Sequence, residues 1–144
     1  MSATFSEELA AQGSPMESLA LAMRQMVLEE APNAMETPYA VTNAVSIGYS
    51  FTGRAVDLFV HIAAYESWVN LGFNEGASLA DPGCILRGEG LKIRFIRISS
   101  LADLERPFVR RFVQQAATAA KKPVAVDLGK AVQVLAERKR KRRS

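Results

Sequence analysis

The stretch VSIGYSFTGRAVDLFVHI, residues 45–62, decides the fold. Val45, Ile47, Tyr49 and Phe51 alternate with Ser46, Gly48 and Ser50. Thr52, Gly53 and Arg54 offer a turn, and Val56, Leu58, Val60 and Ile62 then alternate with Asp57, Phe59 and His61. Successive side chains of a strand point to opposite faces, so this spacing predicts a β-hairpin with one apolar and one mixed face.

Toward the C-terminus the period of two continues. Val69, Leu71 and Phe73 fall on one side of a third strand, and Trp68, Asn70 and Gly72 on the other. Residues 74–90 hold four of the nine glycines and Pro82, which marks a loop. A further strand is expected over residues 92–98, with Lys92 and Arg94 on the mixed face. Asp103 is expected to cap a helix whose apolar side is Leu104, Phe108, Phe112, Val113 and Ala116, with Pro107 inside the first turn. Leu128, Ala131, Val132 and Leu135 sketch a weaker helix beyond Pro123.

Toward the N-terminus, Ser14-Pro15-Met16-Glu17 has the form of a helix start with a capping box. Leu19, Ala22, Met23, Met26 and Val27 form one helical stripe, and Pro32 ends the helix near Glu30. Residues 1–13 lack periodicity and are expected to be a flexible leader. The fold class that follows is α+β: a two-layer sandwich with an N-terminal helix, an antiparallel sheet of about five strands, and C-terminal helices packed on one face. The expected organisation is one domain over residues 14–122, followed by a C-terminal helix and basic tail over residues 123–144.

A chain of 144 residues with 49% hydrophobic content suits one core. No apolar run is long enough to span a membrane, and no basic start precedes an apolar run, so no secretory signal is expected. Cys84 is the only cysteine, which rules out an internal disulfide and points to a cytoplasmic setting. One cysteine and one histidine cannot build a Cys/His zinc site within the chain. The net charge of +3 conceals two opposite halves. Residues 1–86 carry ten acids and two bases, whereas residues 87–144 carry five acids and sixteen bases. Arg138, Lys139, Arg140, Lys141, Arg142 and Arg143 are consecutive, so the basic balance resides in the tail.

At residues 71–98 the sequence reads LGFNEGASLADPGCILRGEGLKIRFIRI. Gly72-Phe73, Gly76-Ala77, Leu79, Asp81-Pro82, Leu86, Gly88, Gly90, Lys92 and Arg94 occur there in an order that resembles the YdhG-like family, a bacterial domain of unknown function. The similarity runs from about Leu19 to Ala120 and includes Glu36-Thr37-Pro38-Tyr39. The resemblance implies a sandwich similar to frataxin. It also implies an iron-handling role, which attaches to part of that family, so iron is the cofactor to look for.

Several residues carry candidate chemistry. Glu29, Glu30 and Glu36 gather near the end of the first helix and could offer weak, exposed oxygen ligands to iron; a solvated helix face is the plainer alternative. His61 lies ~13 Å along the strand from Asp57, too far for a catalytic pair, and favours a structural histidine. Cys84 is expected to be a small buried residue. Gly88-Glu89-Gly90 precedes a strand rather than a helix, which favours a turn over a phosphate cradle. The mixed sheet face would carry Asp57, Phe59, His61, Trp68, Asn70, Lys92 and Arg94, a set typical of a partner or ligand surface. A covering helix over residues 128–135 is the alternative. No nucleophile–base pair is recognisable. The expected function is therefore a non-enzymatic binding or chaperone-like module, with a protein or small ligand on the open face. The rival is a nucleic-acid-associated protein using its tail non-specifically. No membrane partner is expected, and the chain is expected to be a monomer or weak dimer.

Overall fold

A computed structural model describes residues 4–123. Helix α1 spans Phe5–Ala11 and helix α2 spans Glu17–Glu30. Five strands follow: β1 Met35–Thr37, β2 Val45–Ser50, β3 Val60–Ala64, β4 Val69–Phe73 and β5 Arg94–Ile98. A short helix α3, Leu101–Leu104, leads into α4, Pro107–Ala119. The sheet order is β1-β2-β3-β4-β5, and every pairing is antiparallel. The α+β sandwich expected from the alternation is the fold observed. Among the described residues, no helix is long and apolar enough to cross a membrane.

Register fixes the two faces, because residues opposite one another share a side. Val45, Ala64, Val69 and Ile98 form one row, and Ile47, Ile62, Leu71 and Ile96 the next. All but the partly buried Ile47 are buried in the core, together with Leu19, Met23 and Val27 of α2 and Val109, Phe112 and Val113 of α4. The opposite face carries the rows Ser46, Ala63, Asn70, Arg97 and Gly48, His61, Gly72, Phe95. The core thus sits on one side of the sheet.

Four expectations need correction. The leader is not loose: it forms α1, capped by the Thr4 hydroxyl accepting from the Glu7 amide, and it buries Phe5 and Leu9 in the core. Ser14 does not cap α2; its hydroxyl accepts from the Met16 amide within the turn after α1, and the helix begins at Glu17 without a side-chain cap. Asp103 is not a cap but the partner of one. The Ser100 hydroxyl caps α3 by accepting from the Asp103 amide, and the Asp103 carboxylate accepts from the amide of Ser99, one residue before the cap. Pro107 then opens α4, where its missing N–H costs nothing.

The fourth correction concerns the hairpin. Residues 55–57 form a 3₁₀ turn instead of continuing the strand. The Phe59 amide donates to the Tyr49 carbonyl at 3.0 Å, while Val60 is the register partner of Tyr49. Two residues facing one is the pattern of a β-bulge, and it slips the alternation by one at the entrance to β3. Leu58 therefore lies over Gly48 on the second face. Phe59 turns to the core side, stacked on Phe51 at 4.8 Å.

Candidate functional site

The second sheet face is built from small residues in its middle and aromatics around them. A Cβ at Gly72 would fall 2.0 Å from His61 Nε2, so the imidazole lies flat over the glycine backbone. His61 is buried, packs at a tilt of 33° against Tyr39 at 4.5 Å between ring centres, and donates from Nδ1 to the Asn74 side-chain carbonyl at 3.0 Å. Burial pushes its pKa below the ordinary value, and the Asn74 hydrogen bond opposes this in part. A neutral ring with its proton committed to an amide is a packing element, in line with the structural role expected for it. Tyr39 comes from the β1–β2 connection, held by a hydrogen bond from the Ser46 hydroxyl to its carbonyl.

Beside this pair lies a second aromatic group. Tyr65 stacks on Trp68 at 5.0 Å, and the Arg97 guanidinium sits 4.2 Å from the centre of the indole. Trp68 Nε1 and Asn70 Oδ1 are both shielded from solvent and lack a hydrogen-bond partner among the described residues. Trp68 immediately precedes β4 and Asn70 lies within it, two positions on, the one a bare donor and the other a bare acceptor. Such groups cost roughly 1–3 kcal/mol each when left unpaired, which makes the pair unusual in a folded domain. Tyr39, Tyr65, Trp68 and Phe95 all stand outside the core cluster.

The structure redistributes the residues expected on this face. Trp68 and Asn70 are there, and His61 is there but buried. Asp57 is in the 3₁₀ turn, accepting from the Thr52 hydroxyl at 2.7 Å. Phe59 is in the core, for the bulge described above. Lys92 lies before β5, 3.9 Å from the Glu75 carboxylate. Arg94 pairs with Phe73 and so belongs to the helix side, donating to the Gly90 and Ile93 carbonyls. Arg97 occupies the expected place. The signal for it was its parity, since Arg97 is out of step with Ile96 and Ile98 and Arg94 is in step. Tyr39 and Tyr65 lie in connections, where alternation says nothing.

The three acids expected to share a cation do not meet as free carboxylates. Arg110 of α4 binds Glu30 at 2.8 Å and Glu29 at 3.0 Å, and Gln114 donates to Glu30 at 2.7 Å. Hydrogen bonds from Arg110 and Gln114 hold the Glu30 carboxyl below its usual range. Glu36 is clamped by two bonds of 2.8 Å from Arg24 and accepts from the Tyr49 hydroxyl at 2.9 Å. Burial opposes ionisation of Glu36, but the Arg24 and Tyr49 hydrogen bonds outweigh it and keep its pKa low. Burial and the neighbouring Glu36 carboxylate push the Tyr49 phenol up. Among the described residues, no group of three or more His, Cys, Asp or Glu side chains is placed to hold a metal ion. A cleft of about 710 Å³ between α1 and the β1–β2 edge is lined in part by Arg24, Glu36, Tyr39 and Ser46; Arg24 and Glu36 are bonded to each other, and the Ser46 hydroxyl to the Tyr39 carbonyl. Cys84 is exposed rather than buried, with a φ of 52° in the loop after Pro82. The polybasic run and the residue 128–135 helix lie outside the described residues.

Fold and face together define a two-layer α+β domain with its core on one side and an aromatic, partly unpaired surface on the other. No family model, curated protein or solved structure matches the chain.

Proposed function

We propose that the chain is a non-enzymatic binding module of YdhG-like type, with a cytoplasmic setting, that holds a small ligand or protein partner on the second face of its sheet. The observation that carries this is that the Trp68 N–H and the Asn70 side-chain carbonyl are both shielded and lack a hydrogen-bond partner among the described residues. A ligand with a hydrogen-bonding edge would satisfy both once it displaces the side chains that cover them, and the surrounding aromatics would supply apolar contact. A chaperone-like role fits the same face. The iron version gains no support from Glu29, Glu30 and Glu36, each already paired with a guanidinium.

Asn70→Leu separates function from folding. Among the described residues its Oδ1 has no hydrogen-bond partner, so the substitution should leave the melting temperature unchanged or higher. Native mass spectrometry of the chain purified from its own cells should show a bound species that the variant has lost. An identical spectrum for both proteins, or a marked loss of stability in the variant, would overturn the assignment.

The alternative function, association with nucleic acid, rests on the six consecutive basic residues 138–143. Their removal should abolish such binding, and the salt slope should be no steeper than about −5 on B-DNA. Sequence-preferring binding that survives the truncation would refute a tail-based role.

A further inference from the structure

We propose that the cleft along the outer edge of β5 is an anion site for a small phosphate-bearing molecule. The cleft holds about 280 Å³ and is lined by Arg87, Arg97, Ser99, Asp103 and Arg106. Arg87 is fixed there by two backbone hydrogen bonds of 2.9 Å with Phe95, which extend the sheet by one bridge. Arg97 arrives from β5 and Arg106 from the residue before α4. Asp103 offers the lining one carboxylate. It stands 3.6 Å from Arg106, and its other oxygen accepts from the Ser99 amide.

Three arginines against one aspartate give the lining residues an excess of positive charge. Among the described residues, Arg87 and Arg97 have no carboxylate partner, whereas Arg24 and Arg110 elsewhere in the fold are each clamped by glutamates. Like charges on residues that share one cleft repel, and a bound anion relieves that repulsion. Guanidinium forks match the oxygens of a phosphate group and stay charged at any working pH. The volume falls at the small end of ligand sites, roughly 300–1,000 Å³, which suits one phosphate group with a small attachment. This site does not depend on the open-face function, although the two share Arg97. Because that guanidinium lies over the only tryptophan, an anion that draws it away reports itself in Trp68 emission.

The experiment uses the full chain with residues 138–143 all changed to glutamine, which removes anion binding by the tail. Inorganic phosphate and adenosine triphosphate are titrated separately at constant ionic strength set with chloride. We expect a saturable change in Trp68 emission with each, and none with chloride alone. The double variant Arg87→Gln/Arg106→Gln should weaken binding by at least about tenfold, the effect of losing charge-assisted hydrogen bonds. Arg54→Gln, in the exposed turn after β2, should bind as the parent does. Trp68→Phe should keep its affinity by calorimetry while losing the optical signal, which tells failure of the open face from failure of this cleft. Tighter binding of the nucleotide assigns the cleft to an organic phosphate, and equal binding assigns it to inorganic phosphate. An equal response to chloride, or unchanged affinity in a folded double variant, would overturn the proposal.

Discussion

A methyl group at position 72 would lie 2.0 Å from Nε2 of His61, closer than any contact can be. The ring cannot swing aside easily, because Tyr39 and Asn74 hold it. Gly72→Ala should therefore destabilise the domain by about 1–3 kcal/mol, the usual cost of overpacking. The double variant Gly72→Ala/His61→Ala should recover part of that loss, since the methyl would then have room. Thermal melts of the three proteins check this, and additive losses would place the strain elsewhere. The same histidine sets a pH dependence. Its folded pKa lies below the ordinary 6.5, so the unfolded chain takes up the proton first. Stability from this group is complete above about pH 6.5 and is lost as pH falls through the folded-state value. Melting temperatures of wild type and His61→Gln between about pH 8 and pH 5 should diverge in slope, the variant being flatter.

Elements differ in how plainly they are written. The alternation over residues 45–51 and 69–73 is unambiguous because Ser, Gly and Asn interrupt the apolar residues at every second place. The slip at the start of β3 is not, because Leu58 and Phe59 are both apolar and either can face the core. Helix α1 is illegible in the sequence for a related reason. Its apolar stripe consists of only Phe5 and Leu9 in seven residues, too short for a period to emerge. Yet Leu9 is fully buried, so Leu9→Ala should cost about 2–5 kcal/mol, whereas a residue in a loose leader would cost nothing. Denaturant melts decide between them. Of the candidate face, Trp68 and Asn70 are legible from the parity of residues 68–73. Their unpaired atoms are not, because pairing depends on what the remote residues 97 and 65 bring to the same place.

At the scale of the whole molecule, the described charges of the two halves stand apart at the sheet edges and meet at the helices. Glu36 sits on β1 at one edge of the sheet, and Arg87 and Arg97 line the other edge beside β5. The link between distant parts is Arg110, which ties α4 to the end of α2 across 80 residues of chain. The pair is exposed, so Arg110→Gln should cost under about 1 kcal/mol despite its short distances. Equilibrium unfolding in low and high salt checks this, and a much larger loss would mean that α4 docking depends on the clasp.

The serial order of the strands bears on how the chain finds its fold. Each strand pairs only with the strands next to it along the chain. Most sheet closures therefore span short loops, which lowers the entropic barrier to the first encounters. The docking of α4 onto α2 closes a far longer loop and belongs after the barrier. In a chevron experiment, Ile62→Val in the central strand should mainly slow folding, and Phe112→Ala in α4 should mainly speed unfolding. The protein would then assemble as a zipper of hairpins that the last helix locks shut, and its lifetime in the folded state would be set by how often that lock opens.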